Sequence, residues 1–207
     1  MPLDFGDLVA PAHTAVVTCE MQRGVIGDLA CVPDLAEEVA DLGVIGAAAA
    51  LVGDARAAGV RVVHATVELR GDRAGLSINN RMMAYVTKNP DQVLQGSPFA
   101  ELLPELGPEP EDIVCRRIHG LTPFTGTELD SILRNLGIRT IVPVGVSVNE
   151  ALLGLCISAA DLGYRIALPT DAIAGIPRSY TEDVLKHTLA MLAHLTTTEA
   201  VRAAWKA

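Results

Sequence analysis

A mostly parallel α/β sheet covered by helices on both faces is the fold class this sequence predicts, and three observations carry the expectation. The run Thr140-Ile141-Val142-Pro143-Val144 is apolar, β-branched and too short for a helix, which reads as a buried strand. Runs of that kind alternate along the chain with stretches whose apolar residues recur at helical spacing, the pattern of a sheet layered between helices. The first strand, helix and strand follow one another at the spacing of a right-handed βαβ unit.

In chain order, Thr14–Cys19 is the first strand, and Glu20-Met21-Gln22-Arg23-Gly24 is the loop at its carboxyl end. Asp34 heads a helix with Leu35, Val39, Leu42, Ile45, Ala49 and Val52 on one face, closed by Gly59. Val60–Val67 is the second strand. Periodicity then fades from Glu68 to Pro110, where Gly71, Gly75, Pro90, Gly96, Pro98, Pro104 and Pro108 punctuate the chain. Short helical pieces are expected there around Ile78–Val86 and Pro98–Leu103. A segment this long inside a compact domain is a lid or a packing arm.

Asp112–Arg116 is the third strand, Arg117–Gly126 a loop, and Thr127 the cap of a helix carrying Leu129, Ile132, Leu133 and Leu136. The fourth strand is expected to end at Gly145. Ser147-Val148-Asn149-Glu150 has capping-box spacing, so a helix is predicted from there, with Leu152, Leu155, Cys156, Ala159 and Ala160 at helical spacing and Gly163 as its stop. A fifth strand, Arg165–Pro169, leads to Asp171. A helix from Arg178 to about His194, a short strand near Leu195–Thr197 and a helix from Thr198 to Trp205 complete the chain. No internal repeat or linker divides residues 1–207, so one domain is expected.

Composition excludes several classes of function. Aromatic residues make up only 3% of the 207, against 50% apolar, so the core should be aliphatic. The formal charge of −9 argues against nucleic acid or an acidic membrane surface as partner. The start of the sequence shows no signal-peptide pattern and no apolar run is long enough to span a bilayer, which makes the cytoplasm the expected location. The four cysteines, Cys19, Cys31, Cys115 and Cys156, show no C-x-x-C pairing and read as reduced packing residues.

In open α/β sheets, ligands sit outside the carboxyl ends of the strands, where the strand order reverses. Glu20, Arg116 or Arg117, Ala151 and Asp171 fall at such ends. The step from the fourth strand into a helix N-terminus makes a crevice of backbone N–H groups suited to an anion or a developing oxyanion. His119, in a glycine-containing loop after a strand, is a candidate for ligand contact, whereas His64, inside a strand, reads as a hydrogen-bonded core histidine. No spacing suggests a metal site, and no glycine-rich nucleotide loop is present, so no cofactor is expected.

These landmarks resemble the isochorismatase-like hydrolase superfamily, often called cysteine hydrolases, from about Thr14 to Thr198. Pro123-Phe124-Thr125-Gly126-Thr127-Glu128-Leu129-Asp130 is similar to the family's S-x-F-x-G-T-x-L-D, and Gly137–Val146 to its G-I-x-T-hydrophobic-G-V. Ala160-Asp161-Leu162-Gly163-Tyr164 and Thr170-Asp171-Ala172 add to the likeness. The resemblance implies a three-layer Rossmann-like fold with a six-stranded sheet, and a cis peptide between Val146 and Ser147.

It also implies where a site would lie. Amidases of the family use an Asp, a Lys and a Cys; the matching positions here hold Glu20 (in Glu20-Met21-Gln22), Arg116 or Arg117 with Arg117 preferred, and Ala151. Alanine offers no nucleophile. Cys19 alternates to the face opposite Glu20, Cys156 lies on another side of the helix from Ala151, and Cys31 is unplaced. The isochorismatase branch also lacks that cysteine and hydrolyses a vinyl ether by protonation.

The expected function is therefore hydrolysis of a small, anionic metabolite without a cysteine. Glu20 would be the general acid, Arg117 the anion clamp, and Gln22, His119, Ser147, Asn149 and Glu150 substrate contacts around the vacant Ala151 position. The alternative is a non-catalytic small-molecule binding protein, a pseudoenzyme on the same fold. Leu76, Ile78, Met82, Met83, Tyr85, Val86 and Phe99 give the arm an apolar surface that predicts a homodimer or higher oligomer, with the arm near the interface or over the site.

Overall fold

The computed structural model describes residues 4–89 and 92–206; Pro90, one of the punctuating prolines, lies outside them. Helix α1 (Phe5–Leu8) precedes strand β1 (Thr14–Cys19), and α2 (Arg23–Ile26), α3 (Pro33–Asp41), α4 (Val44–Ala57) and β2 (Arg61–Val67) follow. Next come α5 (Arg81–Val86), β3 (Ile113–Arg117), α6 (Leu129–Asn135), β4 (Thr140–Val146) and α7 (Ala151–Asp161). The chain finishes with β5 (Arg165–Pro169), β6 (Ile173–Ala174), α8 (Arg178–Val184), α9 (Ala190–Leu192), β7 (His194–Thr196) and α10 (Thr198–Lys206).

The sheet runs in the order β3-β2-β1-β4-β5-β7, with β6 added beside β4, and every one of these pairings is parallel. It therefore has seven strands where six were expected, because the two-residue β6 pairs Ile173 with Gly145 and Ala174 with Val146. The chain winds outward from β1 through β2 to β3, then returns to start β4 on the other side of β1. That reversal puts the crevice at the carboxyl ends of β1 and β4.

Alternation along the strands divides the core between two layers. Val16, Val62, Val142 and Val144 pack with Leu35, Val39, Leu51, Val52 and Val201 from α3, α4 and α10. On the other face Ala15, Val17, Val63 and Ile141 pack with Leu129, Leu133, Leu152, Leu155 and Val184 from α6, α7 and α8. Each fully buried leucine or valine contributes about 1.5–3 kcal/mol. Aliphatic burial on both faces thus holds the sheet, as the scarcity of aromatic residues requires.

Three elements depart from expectation. The helix expected from Asp34 to Gly59 is two, α3 and α4, because Gly43 adopts φ +67° between them and its N–H closes on the Ala40 carbonyl. The helix expected over Arg178–His194 is interrupted by a π-helical turn at Leu185–Leu189, and His194 already belongs to β7. The capping box is not formed: α7 starts at Ala151 with Glu150 at its N-cap position, and no side chain caps it. Pairing with β6 extends β4 to Val146, so the chain needs the turn at Val148–Glu150 before a helix can begin.

The aperiodic segment packs as an arm over the strand ends. Leu69 N–H donates to the Val93 carbonyl and Gln95 N–H to that of Leu69, while Leu103 N–H donates to Met21. Within the arm the expected pieces are shorter, α5 covering Arg81–Val86 and 3₁₀ turns covering Pro98–Ala100 and Pro104–Leu106. Gly24 makes the docking tight: a Cβ there would stand 2.6 Å from the Phe99 carbonyl oxygen. Among the described residues, no helix is long and apolar enough to cross a membrane.

His64 is the core histidine the sequence predicts. Its Nδ1 lies 2.8 Å from Thr18 Oγ1 and its Nε2 3.2 Å from Asp112 Oδ2, and Arg56 clasps the same carboxylate at 2.6 and 3.2 Å. Burial lowers the His64 pKa below its usual value, although Asp112 pulls the other way. The folded chain thus binds this proton more weakly than the unfolded chain, where histidine titrates near about 6.5. The stabilisation is complete above that pH and is lost as pH falls through the lower folded value. Thermal melts are expected to drop on acidification below about pH 6.5, and His64→Gln to flatten the drop. A wild-type melting temperature that stays constant to about pH 5 would count against this linkage.

Candidate active site

A cavity of about 310 Å³ opens at the carboxyl ends of β1 and β4. Glu20, Arg117, His119, Ser147, Asn149, Glu150 and Ala151 all contribute to its wall. The arm supplies the opposite side through Met82, Met83, Tyr85, Val86 and Val93. Part of the arm's apolar surface therefore covers the cavity, while Ile78 points outward, 60% exposed.

Glu20 follows directly on β1 and turns the chain sharply. Its N–H donates to the Ala65 carbonyl of β2, its own carbonyl accepts from Gln22 N–H at 2.8 Å, and its φ is +54°. A non-glycine residue in the left-handed region costs on the order of 1–3 kcal/mol and persists only where its surroundings enforce it. Here the conformation carries the carboxylate into the cavity.

Arg117, the last residue of β3, is the residue that meets Glu20. Its Nη2 donates to Glu20 Oε1 and its Nε to the Gly120 carbonyl at 3.1 Å, so the guanidinium also ties down the loop that carries His119. Arg117 is 5% exposed, and its Nη1 is buried without a hydrogen-bond partner among the described residues. Arg116 alternates to the other side of the strand, is exposed, and pairs with Glu68 at 3.0 Å. The positive charge of Arg117 is thus already met by Glu20, a different setting from the free anion clamp expected.

The turn between β4 and α7 supplies the third side. The Val146–Ser147 peptide is cis. Fewer amides are available here than a crevice of free N–H groups would offer: Val148 N–H donates to Ala174, and both Glu150 and Leu152 donate to the Ser147 carbonyl. Among the described residues, no acceptor is recorded for the amides of Asn149 and Ala151, which leaves them for a ligand oxygen. Ala151 itself is 4% exposed and lines the cavity. Glu150 is half-buried, and burial followed by the charge of Glu20 raises its pKa above the ordinary carboxylate value.

Two sequence candidates lie elsewhere. Gln22 is fully buried and absent from the cavity wall; its amide nitrogen donates to the Val67 and Ala100 carbonyls and its carbonyl oxygen accepts from Val67 N–H. It braces β2 to the arm instead of contacting a ligand. Asp171, expected at a strand end facing the site, accepts from Thr198 N–H at 2.8 Å and Thr198 Oγ1 at 2.6 Å, and so caps α10. His119 reaches the wall, with its Nδ1 accepting from Ser77 N–H at 3.4 Å.

None of the four cysteines lines the cavity. Burial, reinforced by the charge of Glu20, pushes the Cys19 thiol well above its usual value, and burial pushes Cys156 up to about 12 and raises Cys115. These thiols stay protonated at neutral pH. Cys31 is half-buried in the loop before α3, with its sulfur accepting from Asn89 at 3.3 Å. Among the described residues, no cluster of His, Cys, Asp or Glu could hold a metal ion.

Comparison with known proteins places this geometry in a family. The model of the isochorismatase domain matches residues 14–200. The chain is 31% identical over 154 residues to the ureidoacrylate amidohydrolase RutB of Pantoea ananatis, covering 67% of this chain and 60% of that protein. It is 34% identical over 102 residues to the uncharacterized isochorismatase family protein YwoC of Bacillus subtilis, covering 49% and 53%. The matches thus span between about half and three-fifths of the length of these curated relatives. A solved isochorismatase family protein from Burkholderia thailandensis superposes with a TM-score of 0.77 at 25% identity, over 95% of this chain and 97% of that one. With its model matched over residues 14–200 and the parallel sheet superposing on a solved member, the chain belongs to the isochorismatase family.

Proposed function

We propose that this protein is a hydrolase of a small metabolite that works without a cysteine nucleophile. The observation that carries the reading is the meeting of Glu20, Arg117 and Ala151 on one cavity wall. A covalent thioester has no atom to form on, so water must attack the substrate directly. Glu20 carries the proton. As a carboxylate it takes the proton from the attacking water and then delivers it to the leaving atom; where protonation must precede attack, it starts as the acid, gives its proton to the substrate and regains one from the water that adds. Arg117 holds the carboxylate in line, and the amides of Asn149 and Ala151 meet negative charge that develops on a substrate oxygen. A relative named as an amidohydrolase supports hydrolytic chemistry at this level.

A second reading, a small-molecule binding protein, draws on the closed Glu20–Arg117 pair and the absent nucleophile. A hydrolysis screen over isochorismate, simple vinyl ethers and amides separates the two. The hydrolase reading expects turnover that survives thiol alkylation, with Cys31→Ser as the control for the one thiol that is not fully buried. Turnover abolished by alkylation in that control would place the chemistry on a cysteine and overturn the mechanism. Saturable binding in the cavity with no hydrolysis across the screen would favour the binding protein.

A further inference from the structure

The cavity wall divides into two unequal parts. Charged groups cluster where β1, β3 and β4 end, and the remainder is mostly apolar, with Val25, Val67, Leu69, Met83, Val86 and Val93 drawn from α2, β2 and the arm and Gln92 and Tyr85 beside them. An occupant that excludes water from those side chains must present an apolar body to them.

Charge constrains the other end of the occupant. Arg117 is the one Lys or Arg among the described residues of the wall, and its Nη2 already donates to Glu20. Glu150 adds a second carboxyl group from the turn before α7, with no ion-pair partner recorded among the described residues. Burial, and after it the charge of Glu20, raise its pKa above the ordinary carboxylate value. The remaining ionisable groups do not restore the balance: His119 Nδ1 accepts from Ser77, and Tyr85 donates its hydroxyl to the Cys31 carbonyl. An anion entering here would face two carboxyl groups across one arginine that is already paired. An uncharged oxygen would find donors in the Asn149 and Ala151 amides.

We infer that the cavity selects an uncharged ligand with an aliphatic body, and that Glu150 is the residue that turns anions away. This departs from the anionic substrate the sequence suggests, because the sequence shows Arg117 without showing what neutralises it. The inference rests on the site assigned above but not on turnover.

Binding of 1-hexanol and of hexanoate, measured by calorimetry at about pH 8 on wild type and Glu150→Gln, tests it. Wild type should bind hexanol about tenfold or more tighter than hexanoate, and E150Q should narrow the gap to about threefold. On wild type at about pH 8, hexanoate affinity should rise relative to hexanol affinity as ionic strength is raised from about 0.01 M to about 1 M, because salt screens the carboxylate repulsion. That wild-type salt dependence decides the matter even if E150Q does not fold. Hexanoate binding as tightly as hexanol, a gap that persists in folded E150Q, or neither molecule binding would each overturn the inference. A protein that discriminates as expected yet hydrolyses nothing would keep this inference and lose the hydrolase reading.

Discussion

Glu20→Gln is expected to lower turnover of any substrate the hydrolysis screen identifies by about 10²–10⁴-fold, the usual worth of a positioned general acid–base. The amide is nearly isosteric and keeps an oxygen that can accept from Arg117 Nη2, so ligand contacts around the cavity should change little. What it cannot do is take or release the proton. The substitution also leaves Arg117, 5% exposed, without its counter-charge, which is expected to cost about 1–3 kcal/mol of stability. Turnover must therefore be read at a temperature where melting curves show the variant folded. Glu20→Asp is the control, since it retains the charge on a side chain one methylene shorter. Turnover intact in folded E20Q would remove Glu20 from the chemistry.

The second large effect is structural and sits beside the first. Gly145 pairs in register with Cys19 and has φ +108°; a Cβ there would stand 2.3 Å from the Cys19 carbonyl oxygen and 2.8 Å from Met21 Cγ. The nearest atom is backbone of the central strand, which cannot swing aside as a side chain could. Overpacking and left-handed strain together are expected to cost Gly145→Ala about 4 kcal/mol. For a domain of this size that is about 10 °C in melting temperature. Gly43→Ala makes the contrast, because φ is +67° there but a Cβ would meet nothing within 4 Å, so only about 1 kcal/mol should be lost. Equal melting temperatures for the two variants would show that β1 and β4 are not in such close approach. A destabilised but folded G145A should also lose activity, since the carbonyl that would be pushed belongs to the residue before Glu20.

The sequence by itself determined the layered sheet and the crevice at its strand ends. Apolar runs buried on both faces have no stable alternative to lying between helices, so β1, β2, β4 and β5 could be read within a residue or two of their bounds, and their carboxyl ends marked the crevice. The alternation of side chains also separated Cys19 from Glu20. What local patterns could not contain is anything set by a partner distant in the chain. Ser147–Glu150 has the spacing of a capping box, but pairing of Gly145 and Val146 with the remote β6 draws those residues into the strand and delays the helix to Ala151. Gln22 and Asp171 occupy positions that suggest ligand contact, and only the folded chain shows their polar atoms spent on Val67, Ala100 and Thr198. Charge is the clearest case. An arginine after β3 reads as an anion clamp until the tertiary structure closes it onto Glu20, 97 residues away, and sets Glu150 in the same wall. A charge in a sequence has a sign, but what it attracts depends on which charges the fold brings within a few ångströms of it.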